Sequence, residues 1–124
     1  MNAFNLAQSA YGTSNTATRT QRGTEYDVFA RVTRRLKSCA QQPGDFPALV
    51  QALHDNRRLW TIMAVDVADE TNALPAPLRA QIFYLSEFTA EHTRKVLRDQ
   101  ASADALVDIN TAVMRGLRSK GSVE

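Results

Sequence analysis

The 124-residue sequence predicts an all-α protein, a compact bundle of four principal helices preceded by a short N-terminal helix. Apolar residues recur at steps of three and four in four long segments. No segment shows the alternation of apolar and polar residues that is typical of a strand. The connections between the segments are short, which favours antiparallel packing of neighbouring helices.

The composition favours one domain, because 44% hydrophobic residues are enough to fill a single modest core. We therefore expect one helical-bundle domain over residues 24–120. Residues 1–23 precede it and are predicted to form a short N-terminal helix, over 1–11, and a flexible basic linker. A docking peptide on a tether and a frayed terminus are both consistent with this region.

The central helix is predicted over residues 45–69. Asp45 is placed to act as N-cap, and Pro47 falls in the first turn, where its missing N–H costs nothing. Further residues widen the apolar surface over the second half of the helix, so the helix belongs inside the bundle. One apolar stripe, interrupted only by Asn56, runs along the helix and contains Phe46, Leu49, Leu53, Trp60, Met63 and Val67.

The other three principal helices lie on either side of the central one. The first begins at Thr24 as N-cap and ends at Gln42, because Pro43-Gly44 cannot continue a helix. The third covers residues 77–99 and the fourth covers 104–120, with Asp104 as its N-cap. The inner positions predicted for these two helices are Leu78, Ile82, Leu85, Phe88 or Thr89, His92, Val96, Leu106, Ile109, Val113 and Leu117.

The residue types that carry catalysis are isolated in this sequence. His54 and His92 each lack a companion at metal-ligand spacing, and His92 is better interpreted as a hydrogen-bonded core residue. Cys39 is the only cysteine and is predicted to be a small buried hydrophobe. We therefore expect no enzyme activity, cofactor or metal. No apolar run is long enough for a membrane span and no leader is recognisable, so we expect a cytoplasmic protein.

Several residues are instead suited to binding a partner. Arg57 and Arg58 directly precede Leu59-Trp60, and Trp and Arg are enriched at interaction hot spots. The alternative is that Trp60 is simply the largest core residue. The same question applies to Tyr84, Phe88 and Met114.

Asn56 and Asn110 interrupt apolar surfaces, so each amide must find a partner in the bundle or on a bound helix. Gly116 weakens the last helix unless close packing or a bound backbone offsets its cost.

The charge distribution leaves a second kind of partner open. The net charge is only +2, but the first third of the chain is basic and the central helix is acidic. This polarity would suit RNA, an acidic partner or simply solubility. The residues that would contact RNA are Arg19, Arg22, Arg31, Arg34, Arg35 and Lys37.

Five segments together resemble the FlaF family of flagellar biosynthesis regulators from alphaproteobacteria. They are LHDNRRLW at 53–60, ALPAPLRAQIFYLSEFT at 73–89, INTAVMRGL at 109–117, the opening MNAFNLAQSAYG and TEYDVFARVTRRL at 24–36. The resemblance implies a cytoplasmic helical protein that is needed for flagellin production or export, that acts beside the translational regulator FlbT and that binds flagellin.

A chaperone-like function fits this resemblance, because a bundle with an exposed apolar groove can cover an amphipathic terminal helix of flagellin. We expect the groove between the central helix, residues 78–98 and the last helix. The predicted partner-binding residues are Arg57, Arg58, Trp60, Tyr84, Phe88, Asn110 and Met114. The alternatives are that the protein binds flagellin mRNA, or that its basic N-terminal half binds FlbT.

Overall fold

The computed structural model describes the backbone of residues 21–42 and 44–123, and the side chains of 26–42 and 44–116. These residues form four helices and no strand, which confirms the predicted all-α bundle of four principal helices. The helices are α1 (Gln21–Gln41), α2 (Phe46–Ala68), α3 (Ala76–Leu97) and α4 (Asp104–Val123). The predicted N-terminal helix in 1–11 and most of the predicted linker lie outside the described residues.

Helix α1 begins three residues before the predicted N-cap Thr24, so residues 21–23 are helical rather than part of a linker. The assignment of Thr24 as N-cap was therefore wrong. Gln and Arg are good helix formers, and one Gly costs a helix only about 1 kcal/mol. The helix ends at Gln41, one residue before the predicted end.

Helix α2 has the predicted start and end. The Asp45 side chain accepts a hydrogen bond from the Ala48 N–H at 3.1 Å, and Pro47 lies in the first turn. Gly44 has φ of +117°, a conformation that favours glycine and allows the sharp turn between α1 and α2. At the other end, Asp69 adopts an extended conformation as C-cap.

The loop from α2 to α3 is organised by the Asp69 carboxylate. It accepts hydrogen bonds from the backbone N–H of Thr71 at 2.8 Å and from the Thr71 hydroxyl at 2.7 Å. These two donors lower the pKa of Asp69 below its usual value. Burial has the opposite effect on Asp66 in the last turn of α2, where it raises the carboxyl pKa.

The end of α3 has the hydrogen bonds of a Schellman motif. Asp99 lies in the left-handed region with φ of 59°, and the Gln100 N–H donates to the Lys95 carbonyl at 2.8 Å. Helix α4 follows, and the Ser102 hydroxyl accepts a hydrogen bond from the Asp104 N–H at 3.3 Å. Asp104 is the first helical residue and not the predicted N-cap, because Ser102 already supplies the capping oxygen.

The helices are unequally packed. Helix α1 lies against both α4 and α2, and α2 lies against α3, whereas α3 and α4 touch over a small area. Two apolar clusters fill the interior. The first is centred on Leu36, Leu53 and Leu106, and half-buried Cys39 packs on it. The second is centred on Phe29, Leu59 and Trp60.

The predicted inner stripe of α2 is buried or half-buried with one exception. Phe46 is 55% exposed, because it is the first residue of α2 and lies beyond Leu49, the first residue of this helix that packs on an apolar cluster. On α3 the sequence left Phe88 and Thr89 as alternatives, and Thr89 is the buried residue. The exposed part of Phe88 is therefore available to solvent.

Candidate partner-binding surface

Among the described residues, five polar side chains are buried inside the bundle, and every helix contributes at least one of them. Each is at most 5% exposed, and none carries a formal charge. Buried polar groups of this kind are stable when their hydrogen bonds are satisfied. The five residues are Thr33, Asn56, Thr89, Thr93 and Asn110.

Two of these side chains belong to a hydrogen-bond chain that joins α2 to α4. The Trp60 indole N–H donates to Asn110 Oδ1 at 2.9 Å, and Asn110 Nδ2 donates to Asn56 Oδ1 at 2.8 Å. Phe29 packs edge-on against the Trp60 ring, with ring centroids 5.8 Å apart. Asn56 and Asn110 thus satisfy the expectation that each amide has a partner, and they do so within the bundle.

Some buried polar atoms have no partner among the described residues. They include the hydroxyl oxygens of Thr33 and Thr89 and the side-chain nitrogen of Asn56. The Thr93 hydroxyl, by contrast, donates to the Thr89 carbonyl at 2.7 Å. Thr89, which carries one of these orphaned hydroxyls, is also one of the residues that line a cavity between α2 and α3.

That cavity, which we call the polar cavity, has a volume of about 30 Å³. Its floor contains the buried side chains of Trp60 and Thr89, whereas Arg57 and Thr61 are exposed at its opening. The Ser86 hydroxyl lies 3.5 Å from the Trp60 carbonyl oxygen, a long hydrogen bond. The complete lining is Arg57, Trp60, Thr61, Ser86, Thr89 and Ala90.

Exposed apolar side chains continue from both ends of the polar cavity along the boundary of α2 and α3. Seven residues is two helical turns, so Val50 lies on the same face of α2 as Arg57, and Leu97 on the same face of α3 as Ala90. At the other end of the cavity, Val65 follows Arg57 by eight residues on α2, and Phe83 precedes Ala90 by seven residues on α3. We call this surface the α2–α3 groove; its exposed apolar residues are Phe46, Val50, Val65, Phe83 and Leu97.

The opposite flank of α3 carries a shorter exposed row. Tyr84, Phe88 and His92 are spaced four residues apart, and the rings of Phe88 and His92 are stacked with centroids 5.6 Å apart. Tyr84 is the most exposed of the large apolar side chains, at 67%. His92 Nε2 donates to the Ser102 carbonyl oxygen at 2.8 Å, which confirms a hydrogen-bonded histidine, although the residue is half-buried.

The structure separates the seven predicted partner-binding residues. Trp60 and Asn110 are buried and hydrogen-bonded to each other, so they have the core position that was the alternative interpretation. Half-buried Met114 packs on the second apolar cluster. The remaining four predicted residues are exposed, but they do not share one surface. Arg57 lies at the α2–α3 groove, whereas Tyr84 and Phe88 lie on the other flank of α3. These four are Arg57, Arg58, Tyr84 and Phe88.

The α2–α3 groove contains apolar residues that the sequence analysis did not select for binding. From the sequence, Val50 and Val65 belong to the wider apolar surface of the central helix, and Phe83 lies to the side of the inner stripe of its own helix. The signal was present in part. Val50, Arg57 and Val65 recur at spacings of seven and eight residues, which places them on one face of a helix.

The basic residues of the RNA alternative are exposed where the structure describes them. Arg31, Arg34, Arg35 and Lys37 are all on α1. Arg35 is engaged, because its guanidinium lies 2.9 Å from the Asp55 carboxylate of α2. The side chains of Arg19 and Arg22 are outside the described residues.

The described part of the chain contains neither a candidate membrane span nor a candidate metal cluster. None of its helices is long and apolar enough to cross a membrane. Within the same residues, no group of three or more His, Cys, Asp or Glu side chains is arranged to hold a metal ion.

A four-helix bundle with exposed apolar side chains along the boundary of two packed helices is typical of a small interaction protein, which works by binding another macromolecule. The comparison with protein families assigns the particular family. Residues 7–117 match the family described as flagellar protein FlaF, and the chain belongs to that family. This membership confirms the resemblance and suggests a role in flagellum-related regulation. No match was found among curated proteins or among solved structures.

Proposed function

We propose that this protein binds flagellin in the cytoplasm and acts as a chaperone-like regulator of flagellin synthesis and secretion during flagellum assembly. The α2–α3 groove covers an amphipathic terminal helix of flagellin. The observation that supports the proposal best is the row of exposed apolar side chains along two packed helices in a member of a flagellar family. An amphipathic helix would bury these side chains together with its own apolar face.

The α2–α3 groove supports the proposal better than the Tyr84 and Phe88 flank does. The groove has exposed apolar residues on two helices, so a bound helix would be held from both sides. The row formed by Tyr84, Phe88 and His92 is on one helix, and α4 contributes few close contacts to it. We therefore assign the flagellin helix to the groove and keep the aromatic row as the rival site.

Titration calorimetry with flagellin, and with flagellin lacking its C-terminal helix, tests the proposal at two salt concentrations. We expect saturable, weakly salt-dependent binding that is lost with the truncation. Phe83→Ser combined with Leu97→Ser should remove about 2 kcal/mol of apolar contact, roughly 30-fold in Kd. The matched control, Tyr84→Ser combined with Phe88→Ser, should bind like the wild type. Absence of flagellin binding would refute the proposal, and the reverse ranking of the two double variants would move the site to the aromatic row.

The basic face of α1 supports a second candidate function, binding of FlbT or of the flagellin mRNA. Arg34 and Lys37 are exposed there, beyond the ion pair that occupies Arg35. Charge reversal at Arg34 and Lys37 should abolish either interaction without affecting the groove. An RNA complex would weaken steeply with added salt, whereas persistence of RNA binding after charge reversal would exclude this surface.

A further inference from the structure

The polar cavity interrupts the apolar α2–α3 groove at its centre, and covering an apolar helix does not explain it. A groove built only for apolar contact would be continuous at this point. The cavity volume of about 30 Å³ exceeds the ~10–15 Å³ that one water requires, so the end of a small polar side chain can enter. The chemistry of the lining therefore indicates what enters.

Hydrogen-bond donors in the cavity have unused capacity. The Thr89 hydroxyl is buried without a partner. The Ser86 hydroxyl donates its one proton to the Trp60 carbonyl oxygen over 3.5 Å, a long bond that it would exchange for one to a stronger acceptor. Among the described residues, the Arg57 guanidinium has neither a hydrogen bond nor an ion pair. The Trp60 indole N–H is not available, because it already donates to Asn110. A group that accepts several hydrogen bonds and carries negative charge would satisfy these donors.

We propose that the polar cavity binds the carboxylate of an Asp or Glu side chain presented by the amphipathic helix in the α2–α3 groove. This inference rests on the proposed function, because it requires that a helix is bound in the groove. It adds a chemical requirement on that helix. Arg57 forms the ion pair, and the hydroxyls of Ser86 and Thr89 donate to the carboxylate oxygens.

The charges around the groove are complementary to such a residue. Helical spacing places Arg79 and Arg94 of α3 on the side that faces α2, one on each side of Ala90. Arg94 shares its charge with Glu91 in an exposed ion pair of 3.2 Å. Two acidic residues of α3, Glu87 and Glu91, lie beside this side of the helix, and Glu91 is already paired with Arg94. The surface is therefore positive where the carboxylate would enter.

The geometry also predicts the sequence pattern of the bound helix. Val50 and Val65 lie seven residues before and eight residues after Arg57. At ~1.5 Å per residue these separations are roughly 10–12 Å. A helix lying along the groove would carry its acidic residue at the centre of an apolar face, with large apolar residues about two turns away in both directions.

The test uses the full chain and designed 21-residue helical peptides that are identical except at the central position. Each peptide has Leu seven residues to either side of Glu, Gln or Lys. Fluorescence anisotropy should show the Glu peptide binding about tenfold tighter than the Gln peptide, and the Lys peptide binding most weakly. Arg57→Ala should remove the preference for Glu, and Thr89→Val, which is isosteric, should reduce it by about threefold.

The control variant is Arg58→Ala, since Arg58 is also exposed but does not line the polar cavity. It should retain the full preference for Glu. Equal affinity for the Glu and Gln peptides, an unchanged preference in Arg57→Ala, or no peptide binding at all would overturn the inference. Cross-links from a photoreactive phenylalanine analogue at position 83 to residues 1–20 or to a second copy of the chain would also overturn it, because the groove would then have another occupant.

A parallel titration with flagellin separates this inference from the proposed function. Flagellin binding without a preference for the Glu peptide would refute the carboxylate site and leave the proposed function standing. A preference for Glu that depends on Arg57, in a protein that does not bind flagellin, would refute the proposed partner and support the cavity chemistry.

Discussion

Replacing Asn110 with leucine tests the hydrogen-bond chain that crosses the bundle. The two side chains are similar in size, so the change removes hydrogen bonds while filling most of the same space. It leaves the Trp60 indole N–H and the Asn56 carbonyl oxygen buried without partners, where their distances to Asn110 are now 2.9 and 2.8 Å. Each unsatisfied group costs about 1–3 kcal/mol, so we expect about 2–6 kcal/mol of destabilisation in total.

Asn56→Leu should cost less, because Asn56 accepts one bond from Asn110 and its own side-chain nitrogen already has no partner in the described structure. About 1–2 kcal/mol is expected. The double variant should be less destabilised than the sum of the two single variants by at least about 2 kcal/mol, since the single variants together leave three groups unsatisfied and the double variant leaves only the Trp60 N–H.

Urea denaturation measures these free energies, with circular dichroism reporting the helices and fluorescence reporting Trp60, the only tryptophan in the chain. Matching transitions by both probes would justify two-state analysis. The reasoning fails if Asn110→Leu is no more destabilising than Asn56→Leu, or if the two substitutions are additive.

Four further substitutions test local features of the helices and their ends. Gly116→Ala should stabilise α4 by about 0.5–1 kcal/mol, seen as a higher Tm, because a Cβ there would meet nothing within 4 Å; a lower Tm would contradict this. Asp45→Ala should cost about 1 kcal/mol in urea denaturation through loss of the N-cap. Asp66→Asn should stabilise the protein at pH 7 by up to about 1 kcal/mol, because it removes a negative charge at the C-terminal end of α2. Burial raises the pKa of the Asp66 carboxyl, so the gain in stability should shrink as the pH falls toward 3.8. Asp69→Asn should lower the denaturation midpoint at neutral pH, because the lowered pKa of Asp69 contributes stability there. This difference from the wild type should disappear as the pH falls below 3.8, where that contribution is lost.

Sequence reasoning located α2 well because its signals are local. Asp45 and Pro47 mark the start through interactions within one turn, and the apolar periodicity continues to the end. The predicted start of α4 differs from the observed one because two residues able to cap a helix, Ser102 and Asp104, occur close together. Only the structure shows which side-chain oxygen accepts the hydrogen bond. Helix boundaries depend on such small differences in local geometry.

The candidate surface was harder to predict because it depends on which helices are neighbours. Periodicity identifies the most apolar side of a helix but not what covers its flanks. Trp60 and Phe83 are both large aromatic residues in apolar surroundings, yet one is 1% exposed and the other 42%. The need of Asn56 and Asn110 for partners was predictable from chemistry, but their pairing across two helices is a property of the assembled bundle.

The hydrogen-bond chain also has a consequence for how the bundle can open. The helices form two closely packed pairs, α1 with α4 and α2 with α3, and α1 also packs on α2. Separation of α3 from α4 would be a hinge motion of one pair against the other, and the bonds from Trp60 to Asn110 and from Asn110 to Asn56 cross that hinge. A ligand that wedges between α3 and α4 must break both buried bonds, whereas one that lies along α2 and α3 leaves them intact. The bundle is therefore expected to bind a helix on its outer surface without rearranging its interior.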